Sequence, residues 1–159
     1  MADRQRPMDP VLSDAARDAL LAVAEAALLN AYAPYSGLRV GAAVLTGRGV
    51  SHAGCNVENR AYPLGGCAEH HAIAAAVLAE GPGLRLRAVA IVARDVDDHP
   101  VPIPPCGGCR QRLLEFGDDL AVIFLGRDGV IATHAIRDLL PASFELPPSS
   151  GLSSSASRR

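Results

Sequence analysis

Cys67-Ala68-Glu69-His70-His71-Ala72-Ile73-Ala74-Ala75-Ala76-Val77-Leu78-Ala79-Glu80, closed by Gly81-Pro82-Gly83 and followed by Leu86-Arg87-Ala88-Val89-Ala90-Ile91-Val92-Ala93, is the stretch from which the fold can be read. Its first part is Ala-rich and stopped by a Gly-Pro-Gly breaker, which predicts a helix from Cys67 to about Glu80. Its second part is an apolar, β-rich run of the kind buried within a sheet.

Working outward, Ser13 to about Asn30 reads as a helix. Ser13 can cap it, Asp14 lies in its first turn, and Leu20, Val23, Ala24, Ala27 and Leu28 recur at helical spacing. Pro34 breaks the pattern in Ala31–Gly37. Arg39–Thr46 and Val50–Val57 read as two strands joined by Gly47-Arg48-Gly49, a hairpin. After a polar, Pro-rich loop from Asp95 to Pro105, the sequence predicts a short helix over Cys109–Phe116. Strands follow at Ala121–Leu125 and Val130–His134, with a last helix over Ala135–Leu140 stopped by Pro141. No internal repeat is present. The elements fit an α/β fold, with helices covering a mixed sheet of about five strands. The expected division is a flexible N-terminus (1–12), one domain (13–146) and a Ser- and Pro-rich disordered tail (147–159).

The 159 residues suffice for one domain with its own core. No apolar run approaches the ~20 residues that cross a bilayer. The polar start, with Asp3, Arg4, Arg6 and Asp9, lacks the apolar centre of a secretory signal, so a soluble, cytoplasmic protein is expected. Net charge is −2 with acids and bases interspersed, which disfavours a polynucleotide partner. The four cysteines, Cys55, Cys67, Cys106 and Cys109, then read as metal-binding or catalytic rather than disulfide-forming.

Cys67-Ala68-Glu69 and the distant Pro105-Cys106-Gly107-Gly108-Cys109 carry the chemistry. A catalytic zinc takes three protein ligands and leaves its fourth position to water, whose pKa it lowers toward ~7. Cys106 and Cys109 can chelate one ion across a tight turn, and Cys67 can supply the third thiolate. Glu69 is close enough in sequence to shuttle protons to and from that water. Predicted helix N-termini at Cys67 and Cys109 favour thiolate. Three thiolates on Zn²⁺ leave one net negative charge, which His70 and Arg110 are the local candidates to offset. Alone, Cys-x-x-Cys also fits a structural zinc knuckle or a redox pair. Cys55, His70 or His71 could close the site with a fourth ligand, whereas the accompanying Glu69 favours the open one.

A Cys or His ligand with a neighbouring Glu, then Pro-Cys-x-x-Cys, is the arrangement of zinc deaminases. The chain resembles the small, homotetrameric cytidine deaminase family from about Ala19 to Phe144. The resemblance rests on Ala31-Tyr32-Ala33-Pro34-Tyr35-Ser36, Val40-Gly41-Ala42-Ala43, Gly54-Cys55-Asn56-Val57-Glu58-Asn59, Cys67-Ala68-Glu69, Pro105-Cys106-Gly107-Gly108-Cys109-Arg110-Gln111 and Leu139-Leu140-Pro141-Ala142-Ser143-Phe144. It implies a three-layer α/β/α sandwich with a mixed five-stranded sheet. It also implies a homotetramer with active sites at subunit interfaces and one Zn²⁺ per chain. The implied reaction is hydrolytic deamination of cytidine and deoxycytidine to uridine and deoxyuridine, for pyrimidine salvage, by zinc-bound hydroxide and a Glu69 proton shuttle. Asn56 and Glu58 would grip the ribose, with Leu38, Ala68 and Tyr62 around the substrate and Phe144 reaching the pyrimidine of a neighbouring subunit. Cys55 would be a buried, non-ligating residue.

Two positions depart from the family pattern. His70 stands where most relatives have an Arg donating to the zinc thiolates, and Leu38 where they usually have Phe against the base. Gly65-Gly66 is expected to loosen the linker Ala61–Gly66. A roomier pocket is the expected consequence, which keeps open a deaminase of N4-substituted or antibiotic cytosine nucleosides. An inactive zinc-stabilised scaffold is disfavoured by the presence of Glu69. His52, His99 and His134 fall outside every motif and are expected at the surface or in strand packing.

Overall fold

The computed structural model describes residues 12–145. The expected flexible N-terminus, apart from residue 12, and the expected disordered tail lie outside the described residues. Helix α1 (Asp14–Leu28) begins as anticipated, with the Ser13 hydroxyl accepting the Ala16 N–H at 3.3 Å. Strands β1 (Arg39–Thr46) and β2 (Ser51–Cys55) form the hairpin. Its turn is closed by the buried Thr46 hydroxyl, which accepts the N–H groups of Arg48 and Val50, and by Gly49 at a φ of +80°. Then come α2 (Ala68–Glu80), β3 (Leu86–Arg94), α3 (Gly107–Leu114), β4 (Ala121–Leu125), β5 (Ile131–Ala135) and the single-turn α4 (Ile136–Leu139).

The strands form one mixed sheet in the order β2-β1-β3-β4-β5, in which β3–β4 is the parallel pair and the other three pairs are antiparallel. The expected α/β sandwich is therefore present. Strand β3 lies at the centre, paired on both edges and covered on both faces, which accounts for its nearly unbroken apolar run. Period-two alternation divides the core. Ala43, Ala88, Ala90 and Ile123 pack with Leu20 and Ala24 of α1. Val40, Ala42, Val44, Val89, Ile91 and Val122 pack with Ala72, Ile73 and Ala76 of α2, Leu113 of α3 and Ile136 of α4.

Two glycines let helices press onto the hairpin. A Cβ on Gly41 would collide with the Ala24 carbonyl, and one on Gly54 with the Ala72 nitrogen and the Ala68 carbonyl. The second contact seats the first turn of α2 directly on β2. At the other end of α2, Glu80 pairs with His52 at 3.0 Å, giving that β2 histidine a structural role. His134 stacks on Phe124, and the exposed His99 lies 3.5 Å from Asp95, so both keep to packing or the surface as expected.

Several boundaries move. Strand β2 stops at Cys55 rather than Val57, because Val57 leaves the ladder to exchange two backbone hydrogen bonds with Gly66 (2.9 and 3.0 Å). Helix α3 starts at Gly107, two residues before the expected Cys109. Strand β5 runs to Ala135, one residue later than expected. The linker 61–66, expected to be loose, contains the 3₁₀ turn Tyr62–Leu64 and is joined to Val57 through Gly66. Among the described residues no helix is long and apolar enough to cross a membrane.

Gly54→Ala must separate α2 from β2, and should lower stability by about 1–3 kcal/mol in urea unfolding; an unchanged midpoint would contradict the close approach. The hydrogen bond from His52, with one from Thr46, holds the Glu80 carboxyl below its usual range. Its contribution is complete above the unfolded value of 4.5 and is lost as pH falls through the lower folded value. The stability difference between wild type and Glu80→Gln should therefore shrink as unfolding is measured from about pH 6 down to about pH 3.

Candidate metal and substrate site

Two helix starts meet at one end of the sheet. Cys67 caps α2 and Cys106 caps α3, while Cys109 is fully buried in the first turn of α3. Cys106 is thus a helix cap itself rather than a residue some way ahead of one. The Sγ atoms of Cys67, Cys106 and Cys109 all lie within 4.8 Å of one another, with Cys67 and Cys106 at 3.9 Å. Tetrahedral zinc with ~2.3 Å bonds sets its sulfurs about 3.8 Å apart. Neither Cys55, whose thiol donates to the Asn30 carbonyl at 3.5 Å, nor His71, whose Nδ1 is 2.8 Å from the Cys55 carbonyl, belongs to the group. Cys55 is half-buried rather than buried. His70 is exposed and stacks on His71. Among the described residues the three-sulfur group has no fourth protein ligand.

The sulfurs compete for one negative charge. The Cys67 thiol is lowered to about 6, chiefly by a hydrogen bond from Cys109 and further by Cys106, Arg112 and His70, against burial. Cys109 is driven upward by that same bond, by burial and by the charges of Glu69 and Cys67. A divalent cation resolves this conflict because it stabilises all three as thiolates, so the donor set fits zinc. Glu69, in the first turn of α2, is 4% exposed. Burial first, and then the Cys67 charge, raise its pKa above the ordinary carboxyl range, which suits a group that both takes and returns a proton.

Beside the sulfurs opens a cleft of about 360 Å³. Val40, Ile91, Ile103 and Pro104 give it apolar walls, and Leu38, Asn56, Glu58, Tyr62, Ala68 and Glu69 all line it. The motif-derived substrate residues therefore converge here, with one exception. Asn56 donates from Nδ2 to the Leu38 carbonyl at 2.9 Å and accepts the Val40 N–H at 2.8 Å. Glu58 accepts the N–H groups of Tyr35 and Ser36 (2.9 and 3.2 Å) and the Ser36 hydroxyl, which keeps its carboxyl pKa low. Both side chains hold the 35–40 segment that carries Leu38. Tyr62 is 77% exposed and packs edge-on to Tyr35.

Phe144 is the exception. It does not line the cleft, its ring is 70% exposed, and its backbone is held by two 3.0 Å hydrogen bonds to the Gln111 amide. Arg110 also differs from its assigned task. Its guanidinium donates to the carbonyls of Pro105 (2.8 Å) and Leu139 (2.7 Å), bracing the turn before Cys106. The cation that sequence reading missed is Arg112, whose charge acts on both Cys67 and Glu69. Its signal was helical spacing, three residues past Cys109 on a helix whose side chains lean toward the N-terminus. Gly66 was also under-read: a side chain there would strike the His71 ring.

Residues 15–125 match the family model described as the cytidine and deoxycytidylate deaminase zinc-binding region. A cytidine deaminase of Sporosarcina psychrophila is 39% identical over 127 residues, covering 79% of this chain and 88% of its own. One from Mycobacterium tuberculosis is 43% identical over 120 residues, covering 76% and 83%. The crystal structure of cytidine deaminase from Burkholderia pseudomallei superposes with a TM-score of 0.70 at 42% identity, over 80% of this chain and 98% of that one. With the three-cysteine group and the mixed five-stranded sheet, these matches establish that the chain belongs to the cytidine deaminase family.

Proposed function

We propose that the protein hydrolyses cytidine and deoxycytidine to uridine and deoxyuridine, releasing ammonia. The observation that carries this reading is a buried Glu69 of raised pKa beside an open three-sulfur group, with Glu69, Cys67 and Cys106 lining one cleft of nucleoside dimensions. Cys67, Cys106 and Cys109 would hold one Zn²⁺ per chain, which when bound acts as a Lewis acid and acidifies water at the fourth position. Glu69 takes a proton from the attacking water and passes it to the ring nitrogen next to the reacting carbon. It then carries a second proton to the exocyclic amine, which leaves as ammonia while the C–N bond breaks and the carbonyl forms.

Asn56 and Glu58 serve the ribose. Their backbone hydrogen bonds fix both side chains before substrate arrives, and the charged Glu58 is a strong acceptor for sugar hydroxyls. Leu38 and the buried Ala68 bound the base. The exposed rings of Tyr62 and Phe144 suit contact with neighbouring subunits, Phe144 toward a neighbour's substrate, in a homotetramer. A free nucleoside, rather than a polynucleotide, fits the size of the cleft and the net charge of −2. Pyrimidine salvage in the cytoplasm is the corresponding role. Leu38 in the cleft wall also supports a second reading, activity on N4-substituted or antibiotic cytosine nucleosides, because an aliphatic wall replaces an aromatic one.

Glu69→Gln should lower the rate of cytidine loss, followed by ultraviolet absorbance, by at least about 10³-fold while zinc content stays at one per chain. Equal turnover in the variant would remove Glu69 from the reaction. If the second reading holds, N4-methylcytidine should be turned over at a rate comparable to cytidine. Rejection of every N4- and ring-substituted analogue would leave the plain nucleosides as the substrates.

A further inference from the structure

We infer that His71 is a positioning residue for the sugar-binding turn: its ring ties Asn56 and Glu58 to the start of α2, which carries Cys67 and Glu69. The inference rests on the nucleoside reading above, in which Asn56 and Glu58 take the ribose. Those two side chains must stand at a set distance from the reacting centre, because the sugar hydroxyls and the ring carbon under attack belong to one small molecule. Asn56 and Glu58 lie just past the end of β2, the edge strand of the sheet, whereas Glu69 belongs to α2. Contacts between the two elements therefore set that distance, and His71 makes one of them.

His71 lies one helical turn past Cys67, whose carbonyl accepts its N–H at 3.2 Å. Side chains of a helix lean toward its N-terminus, so the ring returns to the level of Cys67. There Nδ1 is 2.8 Å from the Cys55 carbonyl, and since a carbonyl only accepts, Nδ1 carries the proton. That carbonyl belongs to the peptide unit joining Cys55 to Asn56. The rest of the ring lies against Gly66, where an added Cβ would collide with Nε2 and Cε1. Gly66 in turn precedes Cys67 and exchanges two backbone hydrogen bonds with Val57, the residue between Asn56 and Glu58. One half-buried imidazole thus touches the chain directly before Asn56 and directly before Cys67, and glycine at 66 makes room for it. His71 does not line the cleft, so it acts through Asn56 and Glu58 and does not touch substrate.

The test uses the full-length zinc protein as wild type, His71→Leu, His71→Asn and Gly66→Ala. For each, kcat and KM are measured with cytidine and with 2′,3′-dideoxycytidine, alongside zinc content and the unfolding midpoint. His71→Leu fills the space but loses the donor, and should raise KM for cytidine about tenfold while kcat changes less than about threefold. Zinc should stay at one per chain. For the dideoxynucleoside, which lacks the hydroxyls that Asn56 and Glu58 would grip, kcat/KM should fall less than about twofold. Asparagine can place an amide N–H where Nδ1 was, so His71→Asn should bring KM back to within about threefold of wild type. Wild-type KM in His71→Leu would overturn the inference. So would a loss that asparagine does not repair, or one that falls equally on both nucleosides, since either marks a merely structural role. Gly66→Ala displaces the ring with its donor retained and should raise KM likewise; if His71→Leu does not fold, wild-type KM in Gly66→Ala overturns the inference instead. A zinc-bound wild-type protein that leaves cytidine unchanged would sink the nucleoside reading itself, and the inference with it.

Discussion

Three sulfurs at the starts of two helices come within 4.8 Å of one another, and most of the architecture around them serves that convergence. Cys67 sits at the start of α2, and Cys106 and Cys109 sit at the start of α3. These starts can meet because both helices pack on the same face of the sheet and α3 is the crossover between the parallel strands β3 and β4. The glycine at position 54 seats the first turn of α2 on β2, and Arg110 braces the Pro105 carbonyl just ahead of Cys106. Crowding the sulfurs has an electrostatic consequence. Cys67 becomes acidic while its neighbour Cys109 is forced to keep its proton, and a divalent cation is the natural release for that opposition.

The substrate cleft is assembled from the same junction. Glu69 follows Cys67 by two residues, so seating α2 places the proposed metal ligand and the proposed proton carrier together at the cleft wall. Asn56 and Glu58 follow the end of β2, where the chain leaves the sheet, and their side chains hold the 35–40 segment that brings in Leu38. One wall is thus fixed by the helix and the other by polar side chains acting on backbone. Both are set by contacts within the chain before any ligand is bound.

Much of this was legible in the sequence. The Cys67, Cys106 and Cys109 spacing pointed to one metal site, and the apolar run at 86–93 to the central strand. The helix break at Gly81-Pro82-Gly83 fell where the structure ends α2. Other features were not legible, for identifiable reasons. Gly107 and Gly108 are poor helix formers, so α3 was read as starting later, although the first turn of a helix tolerates them. Val57 extends an apolar strand pattern, yet its partner is Gly66 in a loop, a pairing that local periodicity does not encode. Arg110 adjoins Cys109 in sequence and looked like the cation of the site. Helical geometry turns it toward carbonyls and brings Arg112 back instead. Phe144 lies outside the cleft of its own chain, so the binding role proposed for it requires a neighbouring subunit.

The central claim is an open three-sulfur zinc site, and zinc-edge X-ray absorption of the protein as purified tests it most directly. The account predicts three sulfur scatterers at about 2.3 Å and one lighter oxygen or nitrogen atom at about 2.0 Å, with the lighter atom's signal altered by a tight-binding nucleoside analogue. Four sulfurs, or a coordination shell with a histidine ring signature that the analogue leaves unchanged, would make the site closed and contradict it.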